Sequence, residues 1–207
     1  MRNLVFAICT AVLLGGCAVG NSHRYDLGDA ELNVDSEKSI AIGAVDLRSY
    51  VISGEKAPNF SGLFRGGLGN PFDVTTDSGR PLAEDLAQSI VAALKRSGVD
   101  AQVVPVAPKT TAEDARALIL ASGSDRCALL RIREWKSDTY FNTGLTYDLT
   151  LDVLSSDGTL MASKELQGHN NLGASGVPGD ARVHVEKAVK EKLEILIAEP
   201  DIKASIE

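Results

Sequence analysis

The chain holds three cysteines and three histidines, and these are the first places to look for covalent or metal chemistry. Cys17 follows a mostly apolar run, Leu4 to Leu14, and two small residues, Gly15 and Gly16. A thiol at that position is a candidate nucleophile. Cys127 opens the apolar run CALLRI and reads as a small buried core residue, with a reactive thiol or an intermolecular bridge as the alternatives. His23, His169 and His184 lie far apart, no pair has the i, i+4 spacing of ligands on one helix face, and no metal site is expected. Gly67-Leu68-Gly69 begins like a dinucleotide fingerprint, but Phe72 stands at the third glycine position and the next helix opens only near Pro81. No G-x-S-x-G elbow is present. The acid pairs Glu84-Asp85 and Glu113-Asp114 fall in first helical turns, where the helix dipole accounts for them. The expectation is a protein that is not an enzyme, with no catalytic residue and no dissociable cofactor.

The segment before Cys17 has the parts of an export signal. Arg2 supplies the positive start, and the apolar run is about a dozen residues, too short to span a bilayer. Leu14-Gly15-Gly16-Cys17 resembles the lipobox of bacterial lipoprotein precursors. That resemblance implies a diacylglycerol on the Cys17 thiol, cleavage after Gly16, and an acyl chain on the new amine. Each buried methylene then contributes roughly 0.8 kcal/mol to anchoring. Ala18, rather than Asp, follows the cysteine. By the same resemblance this implies the inner leaflet of an outer membrane, facing the periplasm.

With Cys9 removed in the signal and Cys17 acylated, Cys127 has no partner for an intramolecular disulfide. The whole chain carries 21 Lys and Arg against 28 Asp and Glu, a formal charge of −7, and losing Arg2 makes the remainder one unit more acidic. Nucleic acid needs clustered cations and is not expected as a partner.

The elements that position these residues come from periodicity. Residues 1–16 read as signal, 17–37 as the lipidated cysteine with a flexible tether, 38–200 as one domain and 201–207 as a tail. Ser39–Leu47 reads as the first core strand. A long irregular stretch follows from about Ser49 to Arg80. Leu82, Leu86, Ile90, Ala93 and Leu94 form a helical stripe opened by Pro81 and ended by Gly98. Ala101–Val106 is a short strand, and Thr110 with Glu113 has capping-box spacing ahead of a second helix. Cys127–Lys136, Leu145–Leu154 and Thr159–Gln167 are strands, the last two joined by Asp157-Gly158. In the middle one Leu145, Tyr147, Leu149, Leu151 and Val153 alternate with polar residues, which predicts one face on a core and one face wet. A final helix covers about 181–198. The order β-α-β-α-β-β-β-α makes an α+β single domain: a mixed sheet of about four or five strands, a late antiparallel meander and three helices.

The 49–80 stretch is the first candidate for function. It holds Phe60, Phe64 and Phe72, three of five Phe, with Tyr50 and Arg65. Linkers are poor in aromatics, so it should be ordered, either on its own domain or against a protein partner or a second copy. Arg131, Arg133 and Trp135 alternate along one strand face and read as a wet or partner-facing surface, because a core would not tolerate unpaired guanidiniums.

With the lipobox, the segments SIAIGAVDLRSYVISG and RGGLGNPFDVTTDSGRPLAEDL resemble uncharacterised YajG-like bacterial lipoproteins. The element order is similar to a wider group: LpoB, PelC, the periplasmic domain of CsgG and the TolB N-terminal domain. Members of that group act by binding, whether by activating an envelope enzyme, forming rings or assisting secretion. The resemblance therefore implies a membrane-anchored accessory factor that binds an envelope protein or itself, with a lipid- or ligand-handling transport accessory as the alternative. The hairpin insertions of the pore-forming members are absent, so a pore is not implied.

Overall fold

The computed structural model describes residues 21–175 and 178–207; Cys17 and the cleavage position after Gly16 lie outside the described residues. In chain order the elements are β1 (Ser22–His23), β2 (Ile40–Asp46), α1 (Ser49–Ile52), β3 (Phe60–Arg65), β4 (Pro71–Thr76), α2 (Leu82–Arg96), β5 (Ala101–Val103), α3 (Ala112–Leu120), β6 (Arg126–Thr139), β7 (Asn142–Ser155), β8 (Leu160–Ala174), α4 (Pro178–Ala198) and α5 (Pro200–Ile206). They form a single α+β domain around one mixed sheet.

β6 is the spine of that sheet. Along one side it pairs antiparallel with β7 from end to end. Along the other it pairs parallel with β2 over Arg126–Ile132, then with β3 over Ser137–Thr139. The sheet therefore runs β1-β4-β3-β6-β2-β5, with β7 and β8 continuing from the far side of β6. β2 lies between two parallel neighbours, and each of its seven residues is buried, which explains its apolar run from Ile40 to Val45.

Most apolar area collects on one face of the sheet, under α2, α4 and α5. Leu82, Leu86, Ile90 and Leu94 from α2 meet Ile40, Ile42, Leu130 and Ile132, while Val185, Val189 and Leu196 from α4 meet Leu149, Leu151 and Val153. The alternation expected in β7 is observed in part: Leu145, Tyr147, Leu149, Leu151 and Val153 face the main core, while on the other face Thr146, Asp148 and Asp152 are half-buried and Thr150 is buried. On the opposite face α3 covers a smaller cluster of Ala41, Val45, Cys127, Leu129 and Leu154 with Ala115 and Ile119. Thr111, one residue later than expected, caps α3 by accepting from the Asp114 backbone N–H at 3.1 Å. Two Thr-x-x-acid frames overlap there, and only the second aligns with the first helical turn.

Four expectations are corrected. The described residues contain eight strands and five helices, more than the four or five and three expected. The irregular stretch 49–80 is a short helix, α1, followed by the antiparallel hairpin β3–β4, in which Phe64 faces Phe72 and Arg65 faces Pro71. The segment expected as a tether is packed from residue 21 onward: β1 pairs with β4, and Tyr25, Ala30, Leu32 and Val34 are buried in the main core. The expected tail is α5, opened by Pro200, with Ile202 and Ile206 buried one turn apart.

Candidate interaction surfaces

The fifth correction concerns Trp135. It does not share a face with Arg131 and Arg133, because a β-bulge at Arg133 shifts the register between Ile132 and Glu134. One inserted residue inverts the parity of every side chain beyond it. Ala128, Leu130 and Ile132 face the main core before the bulge, and Trp135 faces it afterwards. Trp135 is fully buried, edge-on to Tyr25 at 6.0 Å, and its Nε1–H donates to the Tyr25 hydroxyl at 3.3 Å. Burial holds the Tyr25 phenol up at about 12.

Arg131 and Arg133 remain on the opposite face, beyond the cluster that α3 covers, and both are paired. Arg131 meets Asp152 at 2.9 Å; Arg133 meets Asp148 at 2.8 Å and Glu165 at 3.2 Å, and donates to Thr150 Oγ1 at 3.0 Å. The result is a ladder of alternating charge across β6, β7 and β8. Hydrogen bonding to Asp148 raises the affinity of the Arg133 guanidinium for its proton, against the opposing effect of burial.

The aromatic candidates in 49–80 divide into two groups. Phe60 is buried and Tyr50 partly so, edge-to-face at 5.5 Å. They surround a buried ion pair absent from the sequence-derived candidates. Arg48, fully buried, donates to both oxygens of Asp46 (2.8 and 2.6 Å) and to the carbonyls of Phe60 (2.7 Å), Trp135 (3.3 Å) and Pro58 (3.3 Å). All five guanidinium N–H groups are used. Burial opposes the Arg48 charge, and Asp46 more than offsets it. Tyr50 closes this knot by donating to Glu134 at 2.5 Å. Together these residues fasten the hairpin to β6.

Phe64, Arg65 and Phe72 do come together, at the hairpin tip. There they join Leu68, Tyr140 and Phe141, which sequence reasoning missed. The β3–β4 turn and the β6–β7 turn lie side by side, because Phe64 pairs with Thr139 in a parallel ladder. The Tyr140 hydroxyl reaches the Gly67 carbonyl at 3.4 Å, and the Tyr140 and Phe141 rings lie 4.1 Å apart. Leu68 is 99% exposed, Phe141 73% and Phe72 45%. Arg65 is not free: it grips Asp138 through two bonds of 2.7 and 2.6 Å. The only sequence signal for the added members was the adjacent Tyr140-Phe141 pair between two strands.

Two further features face solvent. β8 is fifteen residues long and pairs with β7 alone among the described strands, so one whole edge carries backbone groups without a strand partner. Between β8 and α4 a hollow is lined by Asn170, Leu172, His184, Lys187, Glu191 and Lys192. Asn170 Oδ1 and His184 Nδ1 are buried there without a hydrogen-bond partner. Among the described residues no group of His, Cys, Asp or Glu is placed to hold a metal ion, and no helix is long and apolar enough to cross a membrane. Cys127 is buried, and burial pushes its thiol up.

The architecture defines a class: an α+β domain whose long meander and helices wrap a mixed sheet. No family model and no curated protein matches the chain. Among solved structures it is similar to protein XCC0632 of Xanthomonas campestris, described by family model DUF330, with TM-score 0.52 and 17% identity over 81% of this chain and 85% of that one. Less similar are the PelC dodecamer of Paraburkholderia phytofirmans (TM-score 0.43, 13% identity, 84% and 91% covered) and lipoprotein GNA1162 of Neisseria meningitidis (TM-score 0.31, 14% identity, 75% and 97% covered). The first likeness is one of fold, and no family model carries the YajG-like assignment.

Proposed function

We propose that this chain is a lipid-anchored cell-envelope accessory protein, held by Cys17 in the inner leaflet of the outer membrane, which works by binding another protein and not by catalysis. The observation that carries the reading is the uncovered edge of β8, fifteen residues beside a face of ordered, paired charges. An open edge recruits an extended strand through main-chain hydrogen bonds, and the neighbouring side chains select which strand. The β8 edge has bulges near both ends, around Met161 and Leu172, which confine regular pairing to its middle. The incoming strand comes from an envelope partner or from a second copy of the chain. A photo-crosslinking residue at Gln167, on this edge, should give a discrete product in intact cells. The same group at exposed Leu118 on α3 should not. Equal yields at both positions, or none at Gln167, would remove the support for strand addition.

A second reading, a transport accessory holding a ligand in a cleft, draws on the hollow between β8 and α4. Its orphaned Asn170 and His184 atoms and its two lysines suit a small polar molecule better than an acyl chain. Native mass spectrometry finding a retained small molecule, lost in Asn170→Leu, would favour it.

A further inference from the structure

The exposed tip raises a separate question: what covers Leu68, Phe72, Tyr140 and Phe141. The answer comes from where the chain enters the fold. β1 runs parallel to β4, with Ser22 beside Thr75 and His23 beside Thr76, and the Thr75 N–H donates to the Asn21 carbonyl at 3.2 Å. β4 starts at Pro71, directly after the hairpin turn. A strand parallel to it is entered from the same end, so Asn21 lies on the tip side of Ser22.

Chain length then limits where Cys17 can be. Five residue steps separate Cys17 from Ser22, a reach of at most about 18 Å. Thr75 lies four steps from Pro71, about 13 Å along the strand. An acyl group on Cys17 can therefore reach the plane of the tip, and a bilayer holding that group can lie against this end of the domain. The β7–β8 turn is at the other end of β7, about 44 Å away at 3.4 Å per residue. Single exposed apolar side chains need no explanation, but four gathered at the anchored end do.

We propose that Leu68, Phe72, Tyr140 and Phe141 form a membrane-contact surface that seats in the boundary between headgroups and acyl chains of the bilayer holding Cys17. This rests on the reading of Cys17 as lipidated. Leu and Phe enter the acyl boundary, and the Tyr140 hydroxyl stays at headgroup level. The cations behind the tip are already neutralised, Arg65 by Asp138 and Lys56 by Asp73 at 2.6 Å. Contact is therefore apolar and does not need anionic lipid. Two attachments, acyl chains and tip, fix the orientation of the domain and direct the β8 edge sideways along the membrane.

The test uses the full chain with its native acylation, in vesicles of phosphatidylcholine and phosphatidylethanolamine with brominated acyl chains. Leu68→Trp and Phe141→Trp should each show added emission that the bromines quench. Leu160→Trp, exposed at the far end, should show none of that loss. Trp135 is buried and supplies a constant background. Labelled fatty acid is followed in each variant. Incorporation at Cys17 with unquenched emission at positions 68 and 141 overturns the tip contact. Absence of incorporation overturns the anchor on which it rests. Unquenched emission together with a protein crosslink at position 141 assigns the tip to a partner and also overturns the proposal.

Discussion

Replacing Asp46 by Asn should be among the most damaging conservative changes in this chain. The substitution preserves shape and leaves the Arg48 guanidinium fully buried with its counter-charge gone. Two of its five donors lose a carboxylate, and one of them now meets an amide that can itself donate. Breaking a buried pair by removing one partner costs about 3–5 kcal/mol, because the remaining charge is uncompensated. For a domain of this size each kcal/mol lowers Tm by about 2–4 °C, so the melting temperature should fall by about 6–20 °C. Urea titration with near-UV circular dichroism measures the loss directly. Arg48→Met should also destabilise, because the Phe60, Pro58 and Trp135 carbonyls then lose their donor. The double variant should cost less than the sum by up to about 3 kcal/mol, since the orphaned charge is gone. An Asp46→Asn protein melting within about 2 °C of the parent, or strictly additive single effects, would refute the claim that this pair clamps the hairpin to the sheet.

Three other outcomes are expected. Burial, with Arg182 nearby, holds the His23 imidazole down at about 4, below its usual 6.5. Stability from this neutral histidine is complete above pH 6.5 and is lost as pH falls from 6.5 to about 4. The loss is about 3 kcal/mol, so His23→Gln should flatten that part of a stability-versus-pH curve, and parallel curves would contradict it. Leu149→Ala should cost about 2–5 kcal/mol by denaturant titration. Thr150→Ala, which loses one bond from Arg133 on the opposite face, should cost about 1–2 kcal/mol, and equal losses would argue against the main core lying on the Leu149 face. Gly62→Ala should cost about 1–3 kcal/mol, because a methyl group there runs into the Ser137 side chain and carbonyl across the β3–β6 ladder; an unchanged midpoint would mean that β3 is free to move.

Elements with a strict period were legible in the sequence. β7 showed its two faces, and α2 its stripe, start and stop. What escaped was pattern broken by tertiary geometry. The bulge at Arg133 leaves no mark in composition, yet it moves Trp135 from the wet face to the core. The hairpin in 49–80 was obscured by Gly66, Gly67 and Gly69 and by Pro71, which read as loop but form its turn and first strand position. Its aromatics correctly indicated order, and Phe64, Arg65 and Phe72 do lie together at the hairpin tip. Residues 21–37 have almost no regular structure, so no period could announce that Tyr25, Leu32 and Val34 lie in the core. In α5 the spacing of Ile202 and Ile206, four apart behind Pro200, was the signal available, and it was short enough to pass for a tail.

The two ends of the described chain are fastened to each other. Ser36 Oγ donates to the Ile206 carbonyl at 2.8 Å, the Glu31 N–H donates to Glu194 at 2.8 Å, and Leu32 and Val34 share a core with Ile202 and Ile206. A polypeptide is made amino end first, so residues 30–36 emerge long before the helices that cover them. They meet the end of α2 first, and the rest of their apolar surface stays uncovered until α4 and α5 arrive. The complete core therefore closes only after α4 and α5 have been made. Truncation of α5 should consequently leave a protein that holds its middle strands and loses the grip of its amino-terminal strap.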